Sequence, residues 1–405
     1  MNSFESFGLG KELLDNIKKL GIDKPTQIQE KSIPVIISGK DVIGESATGS
    51  GKTLAFGCGI IEKVIPKEGL QALVLTPTRE LAEQVKNSIK SLSVKRNLNV
   101  ISIYGGVSIN PQINELTRAE VVIATPGRLL DHHQRRTVNL SKLKIVVLDE
   151  ADRMLDMGFI KDVEQILRLC PAKRQTLFFS ATISPDIKRL ADKYMIQPIQ
   201  VFAKNMVDPE KLKQVYYNIP KEVKLSLLID LLQNERSGLV MIFCNTRRTT
   251  DFVVKNLRKN EINATAIHGG LSQNSRTKTM GMFNDAKVNV LVCTDVASRG
   301  LHIDNVSHIY NYEIPNDPKD YVHRIGRTAR AGEEGIVVNL LSEEDYGKFS
   351  RIRSDYSNFS IKRLEKTDFK RIFAMRAESS ERPRFAQQRF GQQQRGRSNY
   401  SNRRR

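Results

Sequence analysis

The segment Glu45-Ser-Ala-Thr-Gly-Ser-Gly-Lys-Thr53 lies between Asp41-Val-Ile-Gly44 and Leu54-Ala-Phe56. It has the residue types that hold a polyphosphate. Gly49 and Gly51 let backbone amides approach phosphate oxygens, and a helix starting there adds positive potential. Thr48, Gly49, Ser50 and Gly51 form the cradle, Lys52 reaches the β/γ-phosphates, and the Thr53 hydroxyl is a ligand for Mg²⁺. The strict pattern wants Gly at position 46, where this chain has Ser46. A second element supplies what a chance glycine turn with an incidental lysine would lack. The apolar run Lys144-Ile-Val-Val-Leu148 ends in Asp149-Glu150-Ala151-Asp152. A carboxylate directly after a buried strand is what Mg²⁺ beside such a loop requires, so Asp149 is the expected metal residue. Glu150 is placed to orient and deprotonate an attacking water. The pair predicts ATP hydrolysis, with ATP and Mg²⁺ as ligands.

The elements that must position these groups are short apolar runs, each followed by a helical pattern. Ala72–Leu75, Val121–Ala124, Ile145–Leu148 and Leu177–Phe179 form one series. Leu239–Phe243, Ala264–Ile267, Val290–Cys293, Ser307–Tyr310 and Ile336–Leu340 form a second. Continuous rather than alternating apolar runs predict strands covered on both faces, hence two α/β domains with parallel sheets. Between the series lies a polar stretch with Pro209 and no strong apolar run. The division read from the sequence is residues 1–203, a linker at 204–214, a second domain at 215–360, and a tail at 361–405. Ligands of open parallel sheets bind at the carboxyl ends of strands, where the candidate residues stand.

Charge points to the partner. The 405 residues carry a net charge of +19. The last 25, from Glu381, hold eight arginines and one acid among Gln, Gly, Ser and Asn. Such a stretch buries too little apolar area to offset chain entropy and is expected to be disordered, basic and RNA-binding. A merely solubilising tail is the alternative. The rest of the surplus predicts that the folded part also meets a polyanion. No apolar run is long enough for a spanning helix, and the first residues show no secretory pattern. Cys58, Cys170, Cys244 and Cys293 lie far apart without a CxxC pair, which argues against zinc or a disulfide framework. A cytoplasmic protein with no membrane partner is expected.

At Asp149-Glu-Ala-Asp152 the chain resembles the DEAD-box ATP-dependent RNA helicases, and the similarity runs over about residues 4–345. Gly21-Ile-Asp-Lys-Pro-Thr-Gln-Ile-Gln29 is similar to the family's adenine-reading motif, with Phe4 as its isolated upstream aromatic. Pro77-Thr-Arg-Glu-Leu81, Gly105-Gly106, Thr125-Pro-Gly-Arg128 and Ser180-Ala-Thr182 follow in the family's order. The second half continues with Met241-Ile-Phe-Cys-Asn-Thr246, Gln273-Asn-Ser-Arg276, Thr294-Asp-Val-Ala-Ser-Arg-Gly300 and His323-Arg-Ile-Gly-Arg-Thr-Ala-Arg330. The minimal core with a basic tail resembles prokaryotic members, including the RhlE-like group. The resemblance implies two tandem RecA-like domains that hydrolyse ATP when RNA closes them, and that locally unwind short duplexes or remodel RNA–protein complexes. It implies that Gln29 contacts the adenine edge and Phe4 stacks on the ring. Arg327 and Arg330 would reach the γ-phosphate from the second domain. Asp152, Ser180 and Thr182 would link nucleotide state to domain closure. Thr78, Arg79, Gly106, Thr125, Arg128, Arg247, Gly270, Arg276 and Thr294 would hold the RNA backbone, which fixes a strand without reading its sequence. Without the resemblance, Thr78 and Thr125 read as helix caps, and His268 as a packed loop residue.

Four positions depart from the family pattern: Ile22 replaces an aromatic, Ser46 an Ala, Ala329 a Gly, and His302 an Asp that contacts the ATP ribose. Two other readings fit the same residues: an ATP-switched RNA clamp or annealing protein, and a DNA helicase. The RNA target stays open, with ribosomal or RNA-decay complexes as possible partners.

Overall fold

The structure, a computed structural model, describes residues 3–47, 49–203, 212–234, 237–298, 303, 306–328 and 334–373. Its first sheet holds β1 (Val42–Glu45), β2 (Ala72–Leu75), β3 (Val100–Ile103), β4 (Val121–Ala124), β5 (Ile145–Asp149), β6 (Gln175–Ser180) and β7 (Ile199–Phe202). Its second holds β8 (Leu212–Asn218), β9 (Leu239–Cys244), β10 (Ala264–Ile267), β11 (Val290–Thr294), β12 (Val306–Asn311), β13 (Gly335–Leu341) and β14 (Ile361–Leu364). The orders are β3-β4-β2-β5-β6-β1-β7 and β10-β11-β9-β12-β13-β8-β14. All pairings are parallel. Strands β2 to β6 are buried at every position. Helices cover both faces, so each sheet separates two apolar layers: Val74, Val147 and Phe179 on one face of the first, Leu73, Val146 and Phe178 on the other. This is the doubly covered parallel architecture that the apolar runs predict, once in each domain.

The sequence division needs two adjustments. Strand β8 starts at Leu212, inside the segment assigned to the linker, and pairs with β13 from Leu212↔Gly335 onward. Its residues alternate between buried and exposed at the start, with Leu212 and Gln214 inside and Lys213 outside, so no apolar run announces it. Strand β14 lies inside the segment assigned to the tail and pairs with β8, while Phe369 and Ile372 pack on the second core. Lys362 and Arg363 sit on this edge strand, where charge discourages further pairing. The rest of the linker, residues 204–211, and the rest of the tail, residues 374–405, lie outside the described residues. Among the described residues no helix is long and apolar enough to cross a membrane. All four cysteines are buried and unpaired.

Candidate active site and nucleic-acid cleft

Strand β1 ends at Glu45 and the helix Lys52–Lys63 begins six residues after Ser46, so the loop must turn sharply. Gly49 (φ 80°) and Gly51 (φ 89°) supply the left-handed backbone that side chains disfavour. Gly51 also has no room for a side chain, because a Cβ there would lie 2.2 Å from Gln29 Nε2. That amide is part of a clamp. Gln29 Nε2 donates to the Gly51 carbonyl at 3.0 Å, its Oε1 accepts from Thr26 N–H at 2.9 Å, and Thr26 Oγ1 donates to the Ser50 carbonyl at 2.7 Å. The segment expected to read adenine thus braces the phosphate loop. Ser46, a departure from both patterns, has its hydroxyl 2.8 Å from that of Ser50 and its N–H donates to the Ser180 carbonyl at 3.0 Å.

The buried Lys52 ammonium donates to the Ser46 carbonyl at 3.1 Å. Asp149 ends β5 with 3% exposure. Burial pushes its carboxyl up to about 7, against the pull of Lys52. Glu150 N–H donates to Asp149 Oδ1 at 3.0 Å. Glu150 itself is left-handed (φ 53°, ψ 52°), a conformation costing roughly 1–2 kcal/mol outside glycine. Its Oε2 is buried with no hydrogen-bond partner among the described residues. A buried, cation-seeking Asp149, the neighbouring Thr53 and an orphaned Glu150 oxygen fit Mg²⁺ held by few protein ligands and several waters. No cluster of three acidic, His or Cys ligands occurs among the described residues, and Mg²⁺ does not require one.

Asp152 lies within hydrogen-bond reach of four donors. Its Oδ2 accepts from Ala181 N–H (3.2 Å), Thr182 N–H (3.0 Å) and Thr182 Oγ1 (3.2 Å), and its Oδ1 accepts from Arg153 N–H (3.0 Å). Ser180 Oγ accepts from Asp152 N–H at 3.1 Å and donates to the Thr182 carbonyl at 2.8 Å. The ends of β5 and β6 are therefore fastened together beside the expected metal residues. A cleft of about 580 Å³ opens there, walled by Gln29, Gly49, Lys52, Asp149 and Glu150 from the first domain and Arg327 from the second. Ile22 lines it too. Phe4 does not; its ring is buried edge-on against Phe7, with centroids 5.8 Å apart, within the first-domain core. Thr48, His302, Ala329 and Arg330 lie outside the described residues.

A second cleft, of about 530 Å³, separates the domains along Thr78, Arg79, Thr125 and Arg128 on one side and Arg276 on the other. Thr78 caps the helix Arg79–Leu92, its Oγ1 accepting from Leu81 N–H at 3.3 Å. Thr125 occupies a cap position without a side-chain cap bond. The Arg79 guanidinium lies on Gly106 (φ 77°), where a Cβ would stand 2.1 Å from Nη1. Arg128 Nη2 donates to the Val107 carbonyl at 3.0 Å. The glycines lining the cleft are Gly105, Gly127 and Gly269; the expected Gly106 and Gly270 are next to the first and last of these. Gly270 N–H already donates to His268 Nδ1 at 3.1 Å, and His268 Nε2 is 2.9 Å from Asp251. This loop histidine therefore orders the turn, and the Gly270 amide is engaged. Arg247 begins the helix Arg247–Lys259 against Gly269, and Thr294 ends β11; neither lines the cleft.

Arg324 escaped the sequence reading. It is 1% exposed, donates to both oxygens of Asp295 (2.6 and 2.7 Å), to Asn311 Oδ1 (2.9 Å), to the Glu313 carbonyl (2.6 Å) and to Asn245 Oδ1 (3.0 Å), and stacks on Phe243. It fastens the segments after β9, β11 and β12 to the helix Pro318–Ile325, three residues before Arg327. Its position inside the His323–Arg330 motif was the available signal.

The phosphate loop, the strand-end carboxylates and an arginine from a second parallel-sheet domain define a two-domain nucleotide hydrolase with a cleft for a second ligand. Family models agree: residues 26–190 match the DEAD/DEAH box helicase domain and residues 223–332 the helicase conserved C-terminal domain. The chain is 41% identical over 378 residues to the ATP-dependent RNA helicase CshA of Listeria monocytogenes, covering 92% of this chain and 72% of that one. It is 42% identical over 356 residues to the DEAD-box ATP-dependent RNA helicase CshA of Geobacillus kaustophilus, covering 87% and 76%. It belongs to the DEAD-box ATP-dependent RNA helicase family. S. cerevisiae Dbp5 bound to RNA and ADP BeF3 superposes with a TM-score of 0.81 at 29% identity, over 90% of this chain and 96% of that one. A DEAD box protein from Methanococcus jannaschii, 40% identical over 90% and 99% of the two chains, gives 0.55.

Proposed function

We propose that this chain is an RNA-stimulated ATPase that locally unwinds or remodels short RNA duplexes, with the chemistry at Lys52, Asp149, Glu150 and Arg327. The observation carrying the reading is the single cleft lined by the first three from one domain and by Arg327 from the other. Lys52 binds the β/γ-phosphates. Asp149 and Thr53 would hold Mg²⁺, which when bound neutralises charge on the phosphate oxygens. Glu150, whose Oε2 has no hydrogen-bond partner among the described residues, takes the proton of the attacking water. Arg327 brings a planar, permanent charge to the transferred phosphoryl group, and Arg330 of the same motif adds a second. Thr78, Arg79, Arg128 and Arg276 hold a single strand by its backbone. Because both ligand clefts take walls from both domains, each ligand favours the arrangement that completes the other site.

A cytoplasmic location is consistent with the four buried, unpaired thiols. Ribosomal or RNA-decay complexes are the proposed partners, to be identified by crosslinking and sequencing bound RNA. The deciding experiment for the activity compares ATPase stimulation by single-stranded RNA and DNA of equal length. Strong stimulation by RNA alone, with ATP-dependent strand displacement, supports the proposal; equal stimulation by DNA overturns it in favour of a DNA helicase.

A further inference from the structure

Ser46 departs from both loop patterns, and neither the Gly nor the Ala that it replaces carries a hydroxyl. In this chain every hydrogen-bonding group of the residue is engaged. Its N–H donates to the Ser180 carbonyl at 3.0 Å, one residue past the last pair of β1 with β6, Glu45↔Ser180. Its carbonyl accepts from the Lys52 ammonium at 3.1 Å, and its Oγ lies 2.8 Å from Ser50 Oγ. Ser46 and Ser50 are each 2% exposed. Among the described residues neither hydroxyl has another hydrogen-bond partner. Neither residue lines the nucleotide cleft, whose loop wall is Gly49, Gly51, Lys52 and Thr53. The hydroxyl pair is therefore buried away from the ligand.

Two left-handed glycines, Gly49 and Gly51, make this loop one that loses many conformations when it is ordered around a phosphate. Its start is fixed to β6 through Ser46, and its apex is fixed through Ser50, whose carbonyl accepts from Thr26 Oγ1 at 2.7 Å. The Ser46–Ser50 contact joins the two anchors across the loop. We infer that Ser46 is a positioning residue: its hydroxyl holds Ser50 and keeps the loop in its phosphate-receiving curve before the nucleotide arrives. The inference rests on the reading of this loop as the ATP phosphate site. Asp149, Glu150 and Arg327 are untouched by the tie, so its effect falls on phosphate affinity and not on the rate of the bound complex.

The competing account is mutual satisfaction of two buried hydroxyls with no bearing on the loop. The two accounts part at the double variant. If the pair only satisfies itself, removing both hydroxyls is nearly neutral, whereas removing one strands the other. If it ties the loop, the double variant lacks the tie as fully as either single one. The experiment takes the full chain as wild type, Ser46→Ala, Ser50→Ala and the double variant. Each is titrated with ADP, a non-hydrolysable ATP analogue and adenosine by displacement of a fluorescent ADP, beside the RNA-stimulated ATPase. All three variants should bind ADP and the analogue roughly two- to tenfold more weakly than wild type, the range for one buried hydrogen bond. They should bind adenosine as wild type does, which also reports that they are folded, and keep the rate at saturating ATP and RNA near wild type. Unchanged ADP affinity in Ser46→Ala, equal losses for ADP and adenosine, a lowered saturating rate, or wild-type ADP affinity in the double variant overturns the inference. A wild-type chain that binds ADP no better than adenosine would instead sink the phosphate-site reading, and the inference with it.

Discussion

Replacing Asp152 by Asn keeps its size and removes its charge at the junction of β5 and β6. The four donors around it set the cost: three converge on Oδ2 and Arg153 N–H on Oδ1. An amide has one oxygen, so its best orientation turns that oxygen toward Ala181 and Thr182 and its NH₂ toward Arg153 N–H. Facing donors then cost about 1–3 kcal/mol, and the two remaining backbone bonds fall from charge-assisted to neutral at about 0.5–1.5 kcal/mol each. A central value is about 4 kcal/mol. For a domain of this size that lowers the first-domain melting temperature by roughly 8–16 °C. Calorimetry of the full chain measures it. Nucleotide binding should survive, since Lys52 and Asp149 are untouched, while RNA stimulation of the ATPase should fall because the β5–β6 link is loosened. A melting temperature within about 2 °C of wild type together with full RNA stimulation would refute the coupling role.

Glu150→Gln should bind ATP and RNA yet lose turnover by roughly 10²–10⁴-fold, whereas Lys52→Ala should weaken nucleotide binding itself; a nucleotide titration beside a single-turnover assay separates the two. Deleting residues 381–405 should make the slope of log RNA affinity against log salt shallower by up to about 0.7 per lost contact, and an unchanged slope would show that these arginines leave RNA alone. In the second domain, burial works to raise the Asp345 carboxyl, but the Lys224 ammonium 2.7 Å away and the Ser342 donors outweigh it and hold it below its ordinary 3.8. The stability it contributes is therefore present above that value and lost as pH falls through the lowered one; Asp345→Asn should cost about 3–5 kcal/mol at neutral pH by stranding Lys224, a gap that should narrow in acid melts below about pH 4. His302→Asp should lower the ATP KM several-fold, because an imidazole offers at most one acceptor to a ribose hydroxyl; equal KM values would place the ribose contact elsewhere.

The placement of the candidate catalytic residues was legible because they follow strands in the middle of the sheet, which carry apolar residues on both faces. Lys52, Asp149, Glu150 and the Asp152–Ser180–Thr182 link all stand at such ends. Strand β3 was also missed although it is buried throughout; β7, β8 and β14 were missed for a shared reason. Each lies at or next to a sheet edge, exposes part of its side chains and so carries Gln200, Lys213, Lys362 and Arg363. Motif spacing also could not tell which groups are already engaged. Gly270 gives its amide to His268 and Phe4 packs on Phe7, both local partners, while Arg276 pairs with Glu80 far away in sequence; in each case a neighbour outside the motif's own reading competes for the same group. Arg324 went unread since a buried arginine is unexpected until its acceptors are seen to converge from three strand ends.

The place of β1 in its sheet has a consequence for synthesis of the chain. The strand that carries the phosphate loop is made first, yet it sits between β6 and β7, where Val42 faces Leu177 and Ile199, both made more than 130 residues later. Strands β2, β3, β4 and β5 are neighbours in the order β3-β4-β2-β5 and can assemble as they emerge. At ordinary translation speeds β1 waits on the order of ten seconds for its partners. In the last part of that wait Lys52 and Asp149 both exist, but the strand that holds them in register, β6, is not yet complete. A nascent chain ending before Gln175 should thus be unable to retain nucleotide. It should also expose the apolar edge of β5, a surface on which a stalled chain would aggregate or recruit a chaperone.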